Sequence, residues 1–296
     1  MHSGVLLLDK PLGLSSNAAL QRVRSLFDRE KAGHVGSLDP LATGMLPICL
    51  GEATKMAGDI LAGRKCYRFT AALGSATSTG DAEGEVTRTA AVPQLSAAGV
   101  TAALAAFHGT QQQVPPMYSA LKQGGQPLYR LARAGISVPR APRTIEISRL
   151  ALCALSPGSL ELEVVCSKGT YVRVLAEDIA AALGTVAHVT ALRRLWVEPF
   201  AGSPMHSLVL LEERRARGEW PALLAPDAPL QHLPAVTLSG TDAQRILLGQ
   251  RVFAEGAAAP RVRLYAPSGA FLGLGATDGA GGLEPRRLMR AAQGSA

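Results

Sequence analysis

Asp39 is the single carboxylate in AGHVGSLDPLATG, the stretch from Ala32 to Gly44, where Gly33, Gly36, Pro40 and Gly44 surround it. Glycine admits positive φ and lets a ligand approach the backbone; Pro40 fixes its own φ and biases Asp39 towards an extended conformation. The stretch has neither helical nor strand periodicity and reads as a loop. A carboxylate held by its own backbone in such a loop can serve as a nucleophile. Asp-Pro can equally do no more than open a turn, and local pattern leaves both readings open.

The flanking sequence supplies the elements that must hold this loop. Gly4 to Leu8 reads as a buried strand, ended by a turn from Asp9 to Gly13; Lys10 there could reach a phosphate or the Asp39 loop, but most lysines after a strand are solvated and it is read as structural. Ser15, Ser16 and Asn17 offer N-caps to a helix with Leu20, Val23, Leu26 and Phe27 in one stripe. Met45 to Leu50 is apolar, and Gly51 to Lys55 opens another helical stretch. Cys66 to Leu73 alternates as a strand, with Tyr67 and Phe69 on one face and Arg68 and Thr70 on the other. Leu73 to Glu85 is a polar, glycine-rich loop whose Asp81, Glu83 and Glu85 lack the full calcium-loop pattern. A helix follows from Ala97 to Phe107. Thr144 to Leu155 and Ser159 to Ser167 form an antiparallel pair about Pro157-Gly158.

Arg173 opens the helix from Val172 to Leu183, where the positive end of the helix dipole does not favour a cation. A nearby carboxylate would account for it, as would a surface pair with Glu177 one turn on. His188 to Leu195 is the next strand. Pro226, Pro229 and Pro234 mark a boundary, beyond which a helix (Thr241 to Leu248) and short strands (Arg261 to Tyr265, Ala270 to Leu274) lead to Arg286-Arg287.

A chain of 296 residues that is 47% hydrophobic can bury a substantial core. The apolar run Val5 to Leu8 is too short for a signal peptide or a membrane span. Net charge is +7, and no Asp or Glu occurs between Glu85 and Glu146, whereas Arg88, Lys122, Arg130, Arg133, Arg140 and Arg143 do. That is the footprint expected of a polyanion-binding face, though a merely solvated surface would look the same. The four cysteines have no metal-binding spacing and read as reduced thiols of a cytoplasmic protein.

GVLLLDKPLGLSS (Gly4 to Ser16), AGHVGSLDPLATGMLPICLGEATK (Ala32 to Lys55) and CSKGTYVRVLAEDIAAALG (Cys166 to Gly184), in this order, resemble the TruB family of tRNA pseudouridine synthases. The resemblance implies an α+β fold: a mixed, largely antiparallel central sheet flanked by helices and loops, plus a small PUA-like C-terminal β domain. It places the catalytic domain at residues 1–232, an RNA-binding insertion at about 114–145 and the small domain at 233–296. It makes Asp39 the catalytic nucleophile with Arg173 beside it, an adjacent guanidinium favouring the ionised carboxylate. Tyr67, Tyr171 and Leu192 hold the uracil, and the ring of His34 fills the space that the flipped base vacates. Lys122, Arg130, Arg133, Arg140 and Arg143 meet the RNA backbone, with Tyr118 and Tyr129 interleaved among them.

The substrate implied is the T-arm of tRNA, with uridine 55 in standard tRNA numbering converted to pseudouridine. No cofactor or metal is expected, nor a membrane or an obligate protein partner, and the chain is expected to act as a monomer. Two other classes remain: a noncatalytic RNA-binding or RNA-remodelling protein on this scaffold, and a hydrolase at a glycosidic carbon. The hydrolase would want a second carboxylate, and none beside Asp39 is evident in the sequence.

Overall fold

The computed structural model describes residues 2–253 and 259–290. The first strand, β1 (Gly4–Lys10), is followed by α1 (Ser16–Leu26), which Ser15 caps by accepting from the Ala18 amide. Next come β2 (Ala32–His34), β3 (Ala42–Leu50), a 3-10 turn (Gly51–Met56), α2 (Ala57–Ala62) and β4 (Lys65–Leu73). The chain continues through β5 (Ser75–Thr77), β6 (Val86–Thr89), α3 (Ala97–Leu104) and β7 (Gly109–Gln113). A small hairpin, β8 (Lys122–Gln123) and β9 (Gln126–Pro127), precedes α4 (Leu128–Arg133). Then come β10 (Arg143–Ser156), β11 (Ser159–Cys166), α5 (Val172–Ala182), β12 (Ala187–Val197), β13 (His206–Ser207) and α6 (Leu208–Ala216). The C-terminal part comprises β14 (Ala235–Thr237), α7 (Gly240–Leu247), β15 (Val252–Phe253), β16 (Val262–Tyr265), β17 (Phe271–Thr277) and β18 (Gly282–Leu288).

The fold is mixed α+β. Its main sheet has nine strands in the order β13-β1-β3-β12-β4-β11-β10-β7, with β2 also on β3. Two of its pairings are parallel, β1 with β13 and β3 with β12. β1 and β3 are apolar on both faces because both are covered: Leu6, Leu8, Leu46 and Ile48 pack with α1 and α6, while Val5, Leu7, Met45 and Cys49 pack with Ala53 and Ile60. In β4 and β11 one face is buried, where Phe69, Ala71, Leu160 and Leu162 meet α3 and α5. A five-stranded sheet, β14-β16-β17-β18-β15, forms the C-terminal part. It rests on the first part through Met56, Leu230, Leu274 and Met289, and through Arg261 to Asp59 at 2.8 Å.

Two expectations need correction. The Ala32–Gly44 stretch is loop only at 35–41, since Ala32–His34 finds partners at Ile48–Leu50 and Ala42–Gly44 belongs to β3. Lys10 is fully buried at the end of β1, where Nζ donates to the carbonyls of Pro11 and Leu14 at 2.8 and 2.6 Å. Within the 114–145 segment, Arg143 begins β10 and pairs with Gln113. Among the described residues no helix is long and apolar enough to cross a membrane.

Candidate active site

The 35–41 loop is pinned from two sides. Ser16 Oγ accepts from the Leu38 amide at 2.7 Å and donates to the Leu38 carbonyl at 2.9 Å, and the Gly13 amide donates to the Pro40 carbonyl at 2.9 Å. Beneath the loop, Arg194 of β12 donates from Nη2 to the Gly36 carbonyl at 2.8 Å and from Nε to the Met45 carbonyl at 2.7 Å. Arg194 reaches this place because β12 comes very close to β3 at Gly44. A Cβ there would lie 2.2 Å from the Arg194 carbonyl oxygen, and φ is +97°.

Arg173 lies across the cleft on the first turn of α5. Its Nη2 is 2.9 Å from Oδ2 of Asp39 and donates to the Tyr118 carbonyl at 2.9 Å. Its Nη1 donates to the Thr79 carbonyl at 2.8 Å and lies 3.3 Å from Oδ2 of Asp81. The cation that the helix dipole disfavours is thus compensated by two carboxylates and two carbonyls. Glu177 is not its ion-pair partner. Asp81 is buried and aimed by its own turn, since Oδ1 accepts from the Thr79 hydroxyl at 2.5 Å and the Glu83 amide at 3.1 Å.

Burial pushes the Asp39 carboxyl above the ordinary carboxylate range; Arg173 pulls it down, Asp81 pushes it up and Lys10 pulls it down. Arg173 therefore acts in the direction expected of it, but burial prevails. Asp39 nonetheless keeps 46% of its side chain open to the cleft. Burial also lowers the His34 imidazole, with Arg194 adding to the effect, so the ring is neutral at neutral pH.

Asp39, Tyr67, Tyr171, Arg173 and Leu192 line one cleft of about 310 Å³. The registers explain the convergence: Leu192 pairs with Ala42 just past the Asp39 loop and with Phe69 beside Tyr67. Tyr171 caps α5 and is clamped by Gln113, whose Oε1 accepts from the Tyr171 amide at 2.7 Å and whose Nε2 donates to its carbonyl at 3.1 Å. His34 is not in this cleft. It ends β2 and lines an adjoining groove of about 860 Å³, which also includes Asp39, Tyr118, Tyr129, Arg133 and Arg173.

The basic residues of the 114–145 segment scatter. Arg133 lines the groove; Lys122, Arg130 and Arg143 are exposed outside both cavities. Arg140 is half-buried, and its Nη1 donates to the Pro115 carbonyl at 3.1 Å, which ties the two ends of that segment together. Among the described residues no three His, Cys, Asp or Glu side chains form a metal-binding group.

Comparison with known proteins decides the family. The model described as the N-terminal domain of TruB family pseudouridylate synthase matches residues 24–172, and two TruB C-terminal models match 173–224 and 234–289. The chain belongs to the TruB family of pseudouridine synthases. Within that family, tRNA pseudouridine synthase B of Chromohalobacter salexigens is 49% identical over 98% of this chain and 95% of its own length. The protein of the same name from Xanthomonas axonopodis pv. citri is 47% identical over 97% and 94%. Likeness of fold extends to a chain in the crystal structure of a Cbf5-Nop10-Gar1 complex, with TM-score 0.70 and 23% identity over 94% of this chain and 79% of that one. A chain of an H/ACA RNP bound to a substrate RNA containing 2'-deoxyuridine has TM-score 0.72 and 19% identity over 98% and 86%.

Sequence reasoning missed Asp81, Gln113, Lys65 and Arg194. Asp81 stands in a polar loop with two other acids, and only the Thr79 bond distinguishes it. Arg194 and Lys65 both line the cleft yet are 1% and 5% exposed. A strand pattern carries no signal of charged side chains on a buried face.

Proposed function

We propose that the chain is a tRNA pseudouridine synthase that isomerises the T-loop uridine, uridine 55 in standard tRNA numbering, with Asp39 as nucleophile and the target base flipped from its stack. The observation that carries this reading is the Asp39–Arg173 pair in a cleft whose lining includes Tyr67, Tyr171 and Leu192. Isomerisation breaks the bond from ribose C1′ to uracil N1, turns the base and joins C1′ to C5. N1 takes up a proton and C5 releases one, so nothing is consumed.

Each part of the site suits one step. Asp39 meets the electron-poor sugar or the base. Tyr67, Tyr171 and Leu192 retain the detached uracil by stacking and by excluding water, and Tyr67 accepts a proton during the rearrangement. His34, neutral and facing the groove, enters the gap left by the extruded base. The groove accepts the T-loop, while Lys122, Arg130, Arg133 and Arg143 meet phosphates. In this reading residues 1–232 are the catalytic domain and 233–296 a small RNA-contacting domain. The protein acts as a monomer in the cytoplasm without an obligate protein partner.

A hydrolase's second carboxylate must face the substrate as acid or base; Asp81 does not, being 2% exposed and engaged by Arg173 and Thr79, which leaves Glu83 of the same groove as the acid that release of free uracil would implicate. The test is carbodiimide primer extension on unmodified tRNA treated with the enzyme. A single new stop at the T-loop uridine is expected; a stop elsewhere, release of free uracil, or tight binding without product would contradict the assignment.

A further inference from the structure

The inner end of the Asp39 cleft carries two buried cations, Arg194 and Lys65. Both are hydrogen-bonded by backbone carbonyls: Arg194 by Gly36 and Met45, Lys65 by Leu61 at 2.6 Å and by Gly63. Among the described residues neither has a carboxylate within 4.0 Å, in contrast to Arg173, which has two. Carbonyl dipoles satisfy the donors of a buried cation but leave its charge in place, and an uncompensated buried charge is costly. Such a charge in a cleft marks a place where opposite charge develops.

We propose that Arg194, with Lys65 beside it, is the countercharge for the uracil anion released inside the cleft, an inference that rests on the functional reading above. When the C1′–N1 bond breaks heterolytically its electron pair leaves with the base, and the negative charge spreads over N1, O2 and O4. The sugar carbon is left electron-poor on the side of Asp39. Uracil is then bound to nothing until C5 attacks C1′, C5 loses its proton and N1 gains one. Arg173 cannot hold the anion, because Asp39 and Asp81 already neutralise it. Arg194 can, and it sits opposite Tyr67 in the β12–β4 ladder, so both face the same base.

The same guanidinium fixes the spacing of the site. It holds Gly36, three residues before Asp39, against the strand that pairs with β4. Burial holds the Tyr67 phenol above its ordinary value, and the charge of Arg194 offsets that push only in part.

The test compares single-turnover loss of the N-glycoside at the target in tRNA carrying uridine or 5-fluorouridine, whose substituent itself stabilises the anion. Arg194→Met is expected to slow the uridine reaction on the order of a hundredfold, as removal of a preorganised charge partner does. tRNA affinity stays unchanged, the deficit shrinks several-fold with 5-fluorouridine, and Arg194→Lys recovers part of the rate. Lys65→Met shows the same pattern more weakly, and it carries the test if Arg194→Met gives no cooperative melting transition. Equal deficits on both bases, or a parallel loss of tRNA affinity, would overturn the inference. A wild-type protein inactive on both tRNAs would instead overturn the functional reading.

Discussion

Nη2 of Arg173 touches Oδ2 of Asp39 at 2.9 Å and donates to the Tyr118 carbonyl at 2.9 Å. One nitrogen therefore ties the Asp39 carboxylate to the segment at Tyr118, which lines the adjoining groove. Through Nη1 the same side chain holds the Asp81 turn, so three chain segments distant in sequence meet at a single guanidinium.

The acid limb of the rate profile follows from this. Burial raises the Asp39 pKa above its ordinary 3.8, so on acidification the carboxylate takes up its proton, and turnover falls, at a higher pH than for a free aspartate. Arg173 lowers that pKa; Arg173→Met is therefore expected to shift the acid limb further up in pH, besides slowing the reaction. Single-turnover rates between pH 4 and 8 measure both effects, and an unmoved limb would contradict the coupling.

Asp81 pushes the Asp39 pKa the other way. Asp81→Asn should move the acid limb down in pH while also reducing the rate, because Arg173 loses one of its two carboxylates. Opposite shifts in the two variants are the expected signature. Shifts in the same direction would mean that each substitution acts only by distorting the site.

Salt dependence separates the insertion's arginines. Replacement of Arg133, exposed and lining the groove, by Ala should reduce the salt slope of tRNA binding by about 0.7–0.9 for each phosphate that its charge neutralises. Arg140→Ala should instead weaken binding with little change in slope, because its guanidinium donates to the Pro115 carbonyl. Titrations at several salt concentrations decide the matter, and a slope lowered equally by both would place phosphate at Arg140.

Gln113 clamps the Tyr171 backbone at both its amide and its carbonyl. Gln113→Leu leaves those groups unpaired beside a buried apolar side chain and should cost about 1–3 kcal/mol in urea unfolding. It should also raise KM for tRNA. Unaltered stability would mean that water replaces the clamp without loss.

The local elements were legible where burial follows a simple period. The continuous apolar run of β1 and the alternation of LELEVV in β11 both follow from which faces are covered. The pairing of Asp39 with Arg173 was legible only through family resemblance, since no local rule joins a loop to a helix start so far away. Adjacent Arg193 and Arg194 show why the rest was hidden. They point to opposite faces of β12; Arg193 pairs with Asp9 at 2.9 Å in partial exposure, and Arg194 is buried beneath the Asp39 loop. Which of the two turns inward depends on the parallel register with β3 at Gly44, a long-range fact that alternation does not encode. Lys10 escapes the local pattern for a similar reason, because the turn that buries its ammonium is formed by residues that follow it.

If Asp39 does the chemistry while RNA is held elsewhere, a single-turnover assay on an unmodified T-arm stem-loop with wild type and Asp39→Asn, paired with measurement of affinity, shows it most directly. Pseudouridine at the T-loop uridine with wild type, none with Asp39→Asn, and nearly equal affinity are the predicted result. Product from Asp39→Asn, or a loss of affinity as large as the loss of turnover, would contradict it.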